Sequence, residues 1–138
     1  MSKIRVAVAG GTGYMGVELL RLLALHPRVE IRRATSEQYA GRLLSDVYPA
    51  FRGRLDLRLE ELDRARLSEG VDAVFSALPH GAAAATIVEA LKRDVVVFDL
   101  SADFRLRDAK QFARWYGEHP TPQLLADAVY GVPELARA

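Results

Sequence analysis

The sequence predicts an α/β fold built on a doubly wound, mainly parallel sheet with helices on both faces. Apolar, strand-like runs alternate along the chain with amphipathic, helix-like segments, which is the pattern of a parallel sheet with right-handed crossovers. The runs at residues 71–78 and 95–100 are almost continuously apolar, as expected for strands that are covered on both faces. The length of 138 residues predicts a single domain spanning residues 1–138.

The order of elements follows from the periodicity of the apolar residues. After the first strand, an apolar stripe at helical spacing continues to His26, where Pro27 ends it because proline cannot extend a helix. Residues 37–53 are predicted to be an irregular segment packed over the sheet. The strands are predicted at residues 3–9, 29–35, 55–60 (short and half exposed), 71–78 and 95–100 (buried), with helices at 14–25, 60–70 and 82–93.

The turn after the first strand carries a glycine pattern in two registers. Gly11, Gly13 and Gly16 match G-x-G-x-x-G, while Gly10, Gly13 and Gly16 match G-x-x-G-x-x-G. Glycines permit a sharp turn and a close approach of the backbone to a ligand, and the following helix directs N–H groups and a positive dipole end at the turn. The stretch therefore predicts a Rossmann-type site for the pyrophosphate of a dinucleotide. The alternative is a glycine turn used only for packing.

The end of the second strand bears on the choice of dinucleotide. An acid there binds the ribose of NAD, whereas a basic or hydroxyl-rich pocket accommodates the 2′-phosphate of NADP. Thr35 and Ser36 occupy this place, with Arg32 and Arg33 before them. These residues favour NADP, but Glu37 leaves NAD open, and the arginines fit an exposed strand face almost as well.

Further candidates follow the third and fourth strands at the same edge of the sheet. His80 comes directly after Pro79 and either borders the nicotinamide or substrate, or caps the next helix. Among Asp99, Asp103 and Arg105, a buried Asp–Arg pair that fixes the loop is favoured over a pair of catalytic carboxyls. Trp115 and Tyr116 are expected to be core or loop anchors.

Composition excludes several classes of function. The formal net charge of +1 gives no argument for nucleic acid or a membrane surface as a partner. Without cysteine these residues form no disulfide, thiolate metal site or thiol nucleophile, and no metal-ligand spacing is present. No signal peptide or long apolar run is found, so a cytoplasmic protein is expected.

Several blocks resemble the N-acetyl-γ-glutamyl-phosphate reductases of arginine biosynthesis, whose close relatives act on a carrier-linked aminoadipate phosphate in lysine biosynthesis. The blocks run in family order over essentially the whole chain. They are residues 10–20, Thr35-Ser36 with Tyr39-Ala40-Gly41, Ala77-Leu78-Pro79-His80-Gly81, Asp99-Leu100-Ser101-Ala102-Asp103-Phe104-Arg105, Trp115-Tyr116-Gly117 and residues 129–135.

The resemblance implies an NADPH-dependent reduction of a small acyl phosphate to an aldehyde through a cysteine thioester, in an enzyme that is a homo-oligomer at full length. By this analogy Gly10, Thr12, Gly13, Tyr14 and Met15 hold the pyrophosphate of the cofactor. Thr35 and Ser36 face the adenosine phosphate, and the nicotinamide half lies along Leu78, Pro79, His80, Ser101 and Ala102. Family members often carry arginine at position 37, where this chain has glutamate.

The resemblance also places the nucleophilic cysteine shortly after the last block and a catalytic histidine in a second domain. Neither is found in these 138 residues, so no catalytic residue is assigned and the chain is expected to be an inactive cofactor-binding part with exposed apolar surface, prone to dimerise or aggregate. The aminoadipate reductase, a non-catalytic dinucleotide sensor and a packing domain with an empty glycine turn are the alternatives.

Overall fold

The computed structural model describes residues 2–132 and Glu134. Four strands form one sheet in the order β2-β1-β3-β4, and all of its pairings are parallel, as the alternating pattern predicts. The elements in chain order are β1 (Ile4–Ala9), α1 (Tyr14–Ala24), β2 (Val29–Ala34), α2 (Leu44–Val47), α3 (Arg64–Leu67), β3 (Ala73–Ser76), α4 (Ala83–Leu91), β4 (Val96–Asp99) and α5 (Ala109–Tyr116), with short 3₁₀ turns at Pro49–Phe51 and Pro122–Leu124.

Both faces of the sheet are covered, because the side chains of β1 alternate between two apolar clusters. Ala7 and Ala9 pack with residues of α3, β3 and α4 on one face. Val8 packs with Leu20 of α1 on the other face. Successive side chains of a strand point to opposite faces, so an apolar residue at every position of this strand is what a two-sided core requires. The prediction of a doubly wound sheet is confirmed.

The order of strands creates a crevice at one edge of the sheet. From β1 the chain goes to β2 on one side and then crosses to β3 on the other side. Ligands of open α/β sheets bind beyond the carboxyl ends of the strands at such a reversal. The turns that follow Ala9, Ala34, Ser76 and Asp99 therefore all lie at the edge where a site is expected.

Some local predictions are wrong. Residues 55–60 form no continuous strand; they make isolated bridges, Thr35 with Glu60 and Leu43 with Arg58. The segment 37–53 contains the short helix α2 and a 3₁₀ turn in place of an entirely irregular loop.

The fourth strand and the aromatic pair also differ from expectation. Val96 and Phe98 are 57% and 49% exposed, because β4 lies at the edge of the described sheet and not in a buried position. Trp115 is 80% exposed and anchors no core; Tyr116 is half exposed but contacts the ring of His80, with the centroids 4.7 Å apart. None of the helices in the described part of the chain is long and apolar enough to cross a membrane. Of the predicted block 129–135, Pro133 and Leu135 lie outside the described residues.

Candidate dinucleotide-binding site

The glycine turn joins β1 to α1 in a conformation that only glycine adopts readily. Gly10 has φ +77°, and a Cβ built there would lie 2.7 Å from the carbonyl oxygen of Ala77. A side chain at this position would therefore be strained by its backbone and would collide with the segment after β3. Because Gly10 has no side chain, the glycine turn lies directly beside residues 77–78.

Gly16 lets the first turn of α1 pack onto the glycine turn. A Cβ at Gly16 would overlap the carbonyl oxygen of Gly10 and lie 2.8 Å from the Cα and carbonyl carbon of Gly11. The third glycine of the dinucleotide fingerprint has this role of close packing. Gly13 differs, because the nearest atom to its would-be Cβ is 3.7 Å away, so the space above it is open.

The N-terminus of α1 offers donors to an anion. Val17 makes the first helical hydrogen bond, its N–H donating to the carbonyl oxygen of Gly13 at 2.9 Å. The N–H groups of Tyr14, Met15 and Gly16 have no intrahelical acceptor, as in the first turn of any α-helix. Gly13 is the N-cap and no side chain caps the helix. The donors, the dipole end and the open space above Gly13 fit a pyrophosphate group.

Thr35 supports the glycine turn from the end of β2. Its hydroxyl accepts a hydrogen bond from the N–H of Gly10 at 3.1 Å, and its carbonyl oxygen accepts one from the N–H of Gly11 at 2.8 Å. The residue is 2% exposed. The Thr35 hydroxyl is thus hydrogen-bonded to the backbone of the glycine turn.

Thr12 joins the turn to the loop that follows β2. Its hydroxyl is 2.7 Å from that of Ser36, and the Ser36 hydroxyl also accepts the N–H of Tyr39 at 3.0 Å. The hydroxyl of Tyr48 donates to the Thr12 carbonyl oxygen at 2.7 Å. Ser36 is buried, so its hydroxyl holds the turn and the loop together. Tyr48 was not singled out from the sequence, since an isolated tyrosine before a proline carries no signal of such a contact.

Arg32 and Arg33, at the end of β2, have different partners. Arg32 pairs with Glu30 at 3.1 Å. Arg33 donates to the carbonyl oxygens that end α3, 2.8 Å to that of Arg66, and lies 3.8 Å from Glu60. Arg32 thus lies on an exposed strand face, as the alternative states, whereas the Arg33 side chain is only 18% exposed and is held against the end of α3.

One further arginine lies on the loop after β2. The Cζ atom of Arg42 is 5.7 Å from the ring centroid of Tyr39, an arrangement typical of a cation–π contact. Within residues 2–132 its guanidinium has no carboxylate or carbonyl partner. Glu37 is exposed at the start of the same loop.

The loop after β3 is held by one buried carboxylate. The Asp103 side chain, which is 1% exposed, lies 2.6 Å from Nδ1 of His80. It also accepts the N–H of Gly81 at 3.0 Å and the N–H of Ala84 at 3.2 Å. The expected Asp–Arg pair is wrong: Asp103 bonds the His80 ring and the start of α4, while Arg105 donates to the Leu100 carbonyl oxygen at 3.1 Å.

The loop after β4 is fixed by a short side-chain network. Asp99 accepts the N–H and the hydroxyl of Ser101 at 3.0 and 2.7 Å, and the Ser101 hydroxyl accepts the N–H of Asp103 at 3.0 Å. Ser101 is nearly buried and Ala102 is partly exposed. Leu78 is half buried while Pro79 and His80 are exposed at the neighbouring strand end.

A groove of about 1030 Å³ lies beside these strand ends. Its lining connects the start of α1, the end of β4 and the segment that follows α5, and includes Met15, Phe98, Ser101, Phe104 and Tyr130. Of the predicted pyrophosphate and nicotinamide residues, Met15 and Ser101 line this groove. The hydroxyls of Thr35 and Ser36 instead hold the turn.

The fold and the glycine turn define the Rossmann class of nucleotide-binding domains. A family model described as "Semialdehyde dehydrogenase, NAD binding domain" matches residues 5–138, so the chain belongs to this family. It therefore carries a domain for a nicotinamide dinucleotide.

Individual relatives agree with the resemblance predicted from the sequence blocks. The chain is 53% identical over 135 residues to an N-acetyl-gamma-glutamyl-phosphate reductase of Polynucleobacter asymbioticus, covering 97% of this chain and 38% of that protein. It is 49% identical over 135 residues to a putative LysW-L-2-aminoadipate/LysW-L-glutamate phosphate reductase of Cenarchaeum symbiosum, with 97% and 39% covered. The chain thus spans about two fifths of the length of these curated relatives.

A solved structure supports the fold. Aspartate semialdehyde dehydrogenase with NADP from Candida albicans superposes with a TM-score of 0.63 at 20% identity, covering 86% of this chain and 41% of that chain.

Proposed function

We propose that this chain binds NADP and forms the cofactor-binding part of an N-acetyl-γ-glutamyl-phosphate reductase. The observation that carries the proposal is the start of α1. There the N–H groups of Tyr14, Met15 and Gly16 face an open space above Gly13, while Gly16 and Gly10 allow the close packing that the turn requires.

Each part of the cofactor has a candidate partner at the carboxyl edge. The pyrophosphate would be held by the backbone of residues 12–16, including Thr12 and Gly13. The nicotinamide half would lie along Leu78, Pro79 and His80 and the loop of Ser101 and Ala102. Thr35 and Ser36 would shape the adenosine end mainly through the turn that their hydroxyls hold.

The preference for NADP over NAD is part of this proposal. The residue at the end of β2 is Thr35, so the acid that binds the ribose hydroxyls of NAD is missing from that position. Arg42 supplies a cation on the following loop, and its guanidinium is not neutralised by a carboxylate of the described residues. Glu37 opposes a 2′-phosphate by charge, so the proposed preference requires the Arg42 guanidinium to lie nearer to the phosphate than the Glu37 carboxylate does.

The proposed reaction of the complete reductase assigns a limited part to this chain. The bound nicotinamide would supply a hydride to an acyl group held as a thioester, after phosphate has left. Because the 138 residues contain no cysteine, none of them can form the thioester. The residues of this chain would bind and orient the dinucleotide, and we propose that they do not turn over substrate alone. The cytoplasmic location and the homo-oligomeric state stay predictions.

The carrier-linked aminoadipate phosphate reductase is the second candidate for the complete protein. The identity to such a relative, 49%, is close to the 53% found for an acetylglutamyl phosphate reductase. Both enzymes would need the same cofactor site.

Calorimetric titration with NADPH and, separately, NADH tests the proposal. We expect NADPH to bind and to bind more tightly than NADH. The substitution Gly13→Glu should abolish binding, because it places a side chain and a negative charge above the helix N-terminus. Arg28→Gln, which removes one positive charge before β2 at the opposite edge of the sheet, is the matched control and should bind as the wild type does. A folded wild-type chain that binds neither nucleotide would refute the proposal.

A further inference from the structure

Asp103 is the most highly connected polar residue at the carboxyl edge. Its carboxylate accepts hydrogen bonds from the His80 ring, Gly81 and Ala84. Its own N–H donates to the Ser101 hydroxyl. This one buried residue therefore joins the loop after β3, the start of α4 and the loop after β4.

The bond to Asp103 fixes the tautomer of the His80 ring. A carboxylate can only accept, so the proton of the short 2.6 Å contact lies on Nδ1 of His80. In the neutral ring Nε2 then carries a lone pair and acts as an acceptor. The His80 side chain is 40% exposed, and no described residue is hydrogen-bonded to Nε2. The ring is also supported by Tyr116, 4.7 Å between centroids, and Phe112, 5.9 Å.

The position of His80 relates it to the proposed path of the cofactor. The would-be Cβ of Gly10 lies 2.7 Å from the Ala77 carbonyl oxygen and 3.3 Å from Cδ2 of Leu78, so the loop that carries His80 adjoins the glycine turn. A dinucleotide with its pyrophosphate on α1 extends its second half toward the ends of β3 and β4. The carboxamide of a nicotinamide carries N–H donors, which an unprotonated Nε2 can accept.

We infer that Asp103 is a positioning residue: it holds His80 as the Nδ1–H tautomer so that Nε2 accepts a hydrogen bond from the carboxamide of the nicotinamide. The inference rests on the proposed function. It assigns to Asp103 a role in selecting the nicotinamide half, beyond its structural role at the start of α4.

The first test compares NADPH with 2′,5′-ADP, which contains the adenosine half alone. His80→Asn retains an amide N–H near the place of Nδ1 and has no atom at the place of Nε2. We expect it to weaken NADPH binding about tenfold, the loss of one hydrogen bond, and to leave 2′,5′-ADP binding unchanged. Equal affinity of the variant and the wild type for NADPH would overturn the inference, as would an equal loss for both probes.

The second test observes the tautomer directly. In the NADPH-bound wild-type chain, the ¹⁵N chemical shifts of the His80 ring should show a protonated Nδ1 and an unprotonated Nε2. Asp103→Asn should increase the Nε2–H form and weaken NADPH more than 2′,5′-ADP. A wild-type ring protonated at Nε2 alone would refute the assignment, and this measurement stands even where Asp103→Asn fails to fold.

Failure of the proposed function and failure of the inference about His80 would give different binding results. A folded wild-type chain that binds neither probe would overturn the proposed function and the inference together. A wild-type chain that binds both, with His80→Asn binding both equally well, would overturn the inference alone.

Discussion

Gly16→Ala is the substitution that should separate close packing from ordinary helix propensity. A Cβ at Gly16 overlaps the Gly10 carbonyl oxygen and lies 2.8 Å from two backbone atoms of Gly11. These neighbours are backbone atoms of a constrained turn, so relief requires that the start of α1 move away from it. Overpacking of this kind costs about 1–3 kcal/mol, and contact with backbone places this case near the upper limit.

The expected net loss follows from two opposing contributions. Alanine gains at most about 1 kcal/mol over glycine in a helix, which leaves a loss of about 2 kcal/mol in the free energy of unfolding. For a chain of this size that corresponds to a decrease in Tm of about 8 °C. Binding of NADPH should weaken at least about tenfold, because displacement of the helix start moves the N–H donors of Tyr14 and Met15 from the phosphate.

Gly13→Ala is the matched control for this experiment. The nearest atom to its would-be Cβ is 3.7 Å away and its φ of −73° is accessible to alanine. We expect a loss below about 1 kcal/mol, the cost of alanine at an N-cap. Urea denaturation of both variants, with calorimetric titration of NADPH, measures the difference. A Gly16→Ala chain as stable as the wild type, or a Gly13→Ala chain destabilised to the same degree, would refute the packing argument.

Three other changes probe the sheet, the cofactor preference and the loop. The guanidinium of Arg5 bonds Asp72 and lowers the pKa of that carboxyl from 3.8 to about 2, so the contribution of this ion pair to stability is present above about pH 4 and is lost as the pH falls toward 2. In acid titrations, Asp72→Asn should therefore lose less unfolding free energy than the wild type over this interval, and an unchanged slope would contradict the assignment. Arg42→Gln should weaken NADPH binding about three- to tenfold while leaving NADH unchanged, and calorimetry showing equal effects on both nucleotides would place Arg42 away from the 2′-phosphate. Tyr48→Phe removes the 2.7 Å hydrogen bond to the Thr12 carbonyl oxygen and should lower the free energy of unfolding, measured in urea, by about 1 kcal/mol. An unchanged free energy of unfolding would show that water replaces the hydroxyl without loss.

The parts of the fold that depend on local pattern could be predicted from the sequence. The glycine turn, the strand before it and the helix after it are determined by residues close together in the chain, and the prediction there matches β1 and α1. The parallel pairing of the strands follows from their alternation with helices, since parallel strands need crossovers; the order β2-β1-β3-β4 is known only from the structure.

Predictions that depend on partners distant in the chain were less successful. The alternating Leu55, Leu57 and Leu59 have the period of a strand, but few of their backbone groups pair with a neighbouring strand. The apolar composition of β4 indicates burial, while its place at the sheet edge leaves Phe98 half exposed. Sequence pattern gives the period of a segment and does not give its neighbours.

The same limit applies to the candidate site. His80 could be singled out because it follows a proline at the predicted ligand-binding edge of the sheet, but its partner could not. The sequence predicts an Asp–Arg pair among Asp99, Asp103 and Arg105, which are close in the chain; the structure instead brings His80 to Asp103 across 23 residues. Likewise, Thr35 and Ser36 were predicted at the right end of β2, while their buried hydroxyl contacts became visible only in three dimensions.

The central claim is that a nicotinamide dinucleotide lies across the carboxyl ends of β1, β3 and β4. A ¹H–¹⁵N correlation spectrum of the 138-residue chain, recorded during titration with NADPH, tests it residue by residue. We expect the largest shifts at the amides of residues 12–16, 78, 80–81 and 101–102. Shifts confined to the opposite edge of the sheet, or a folded chain whose spectrum does not change at millimolar NADPH, would contradict it.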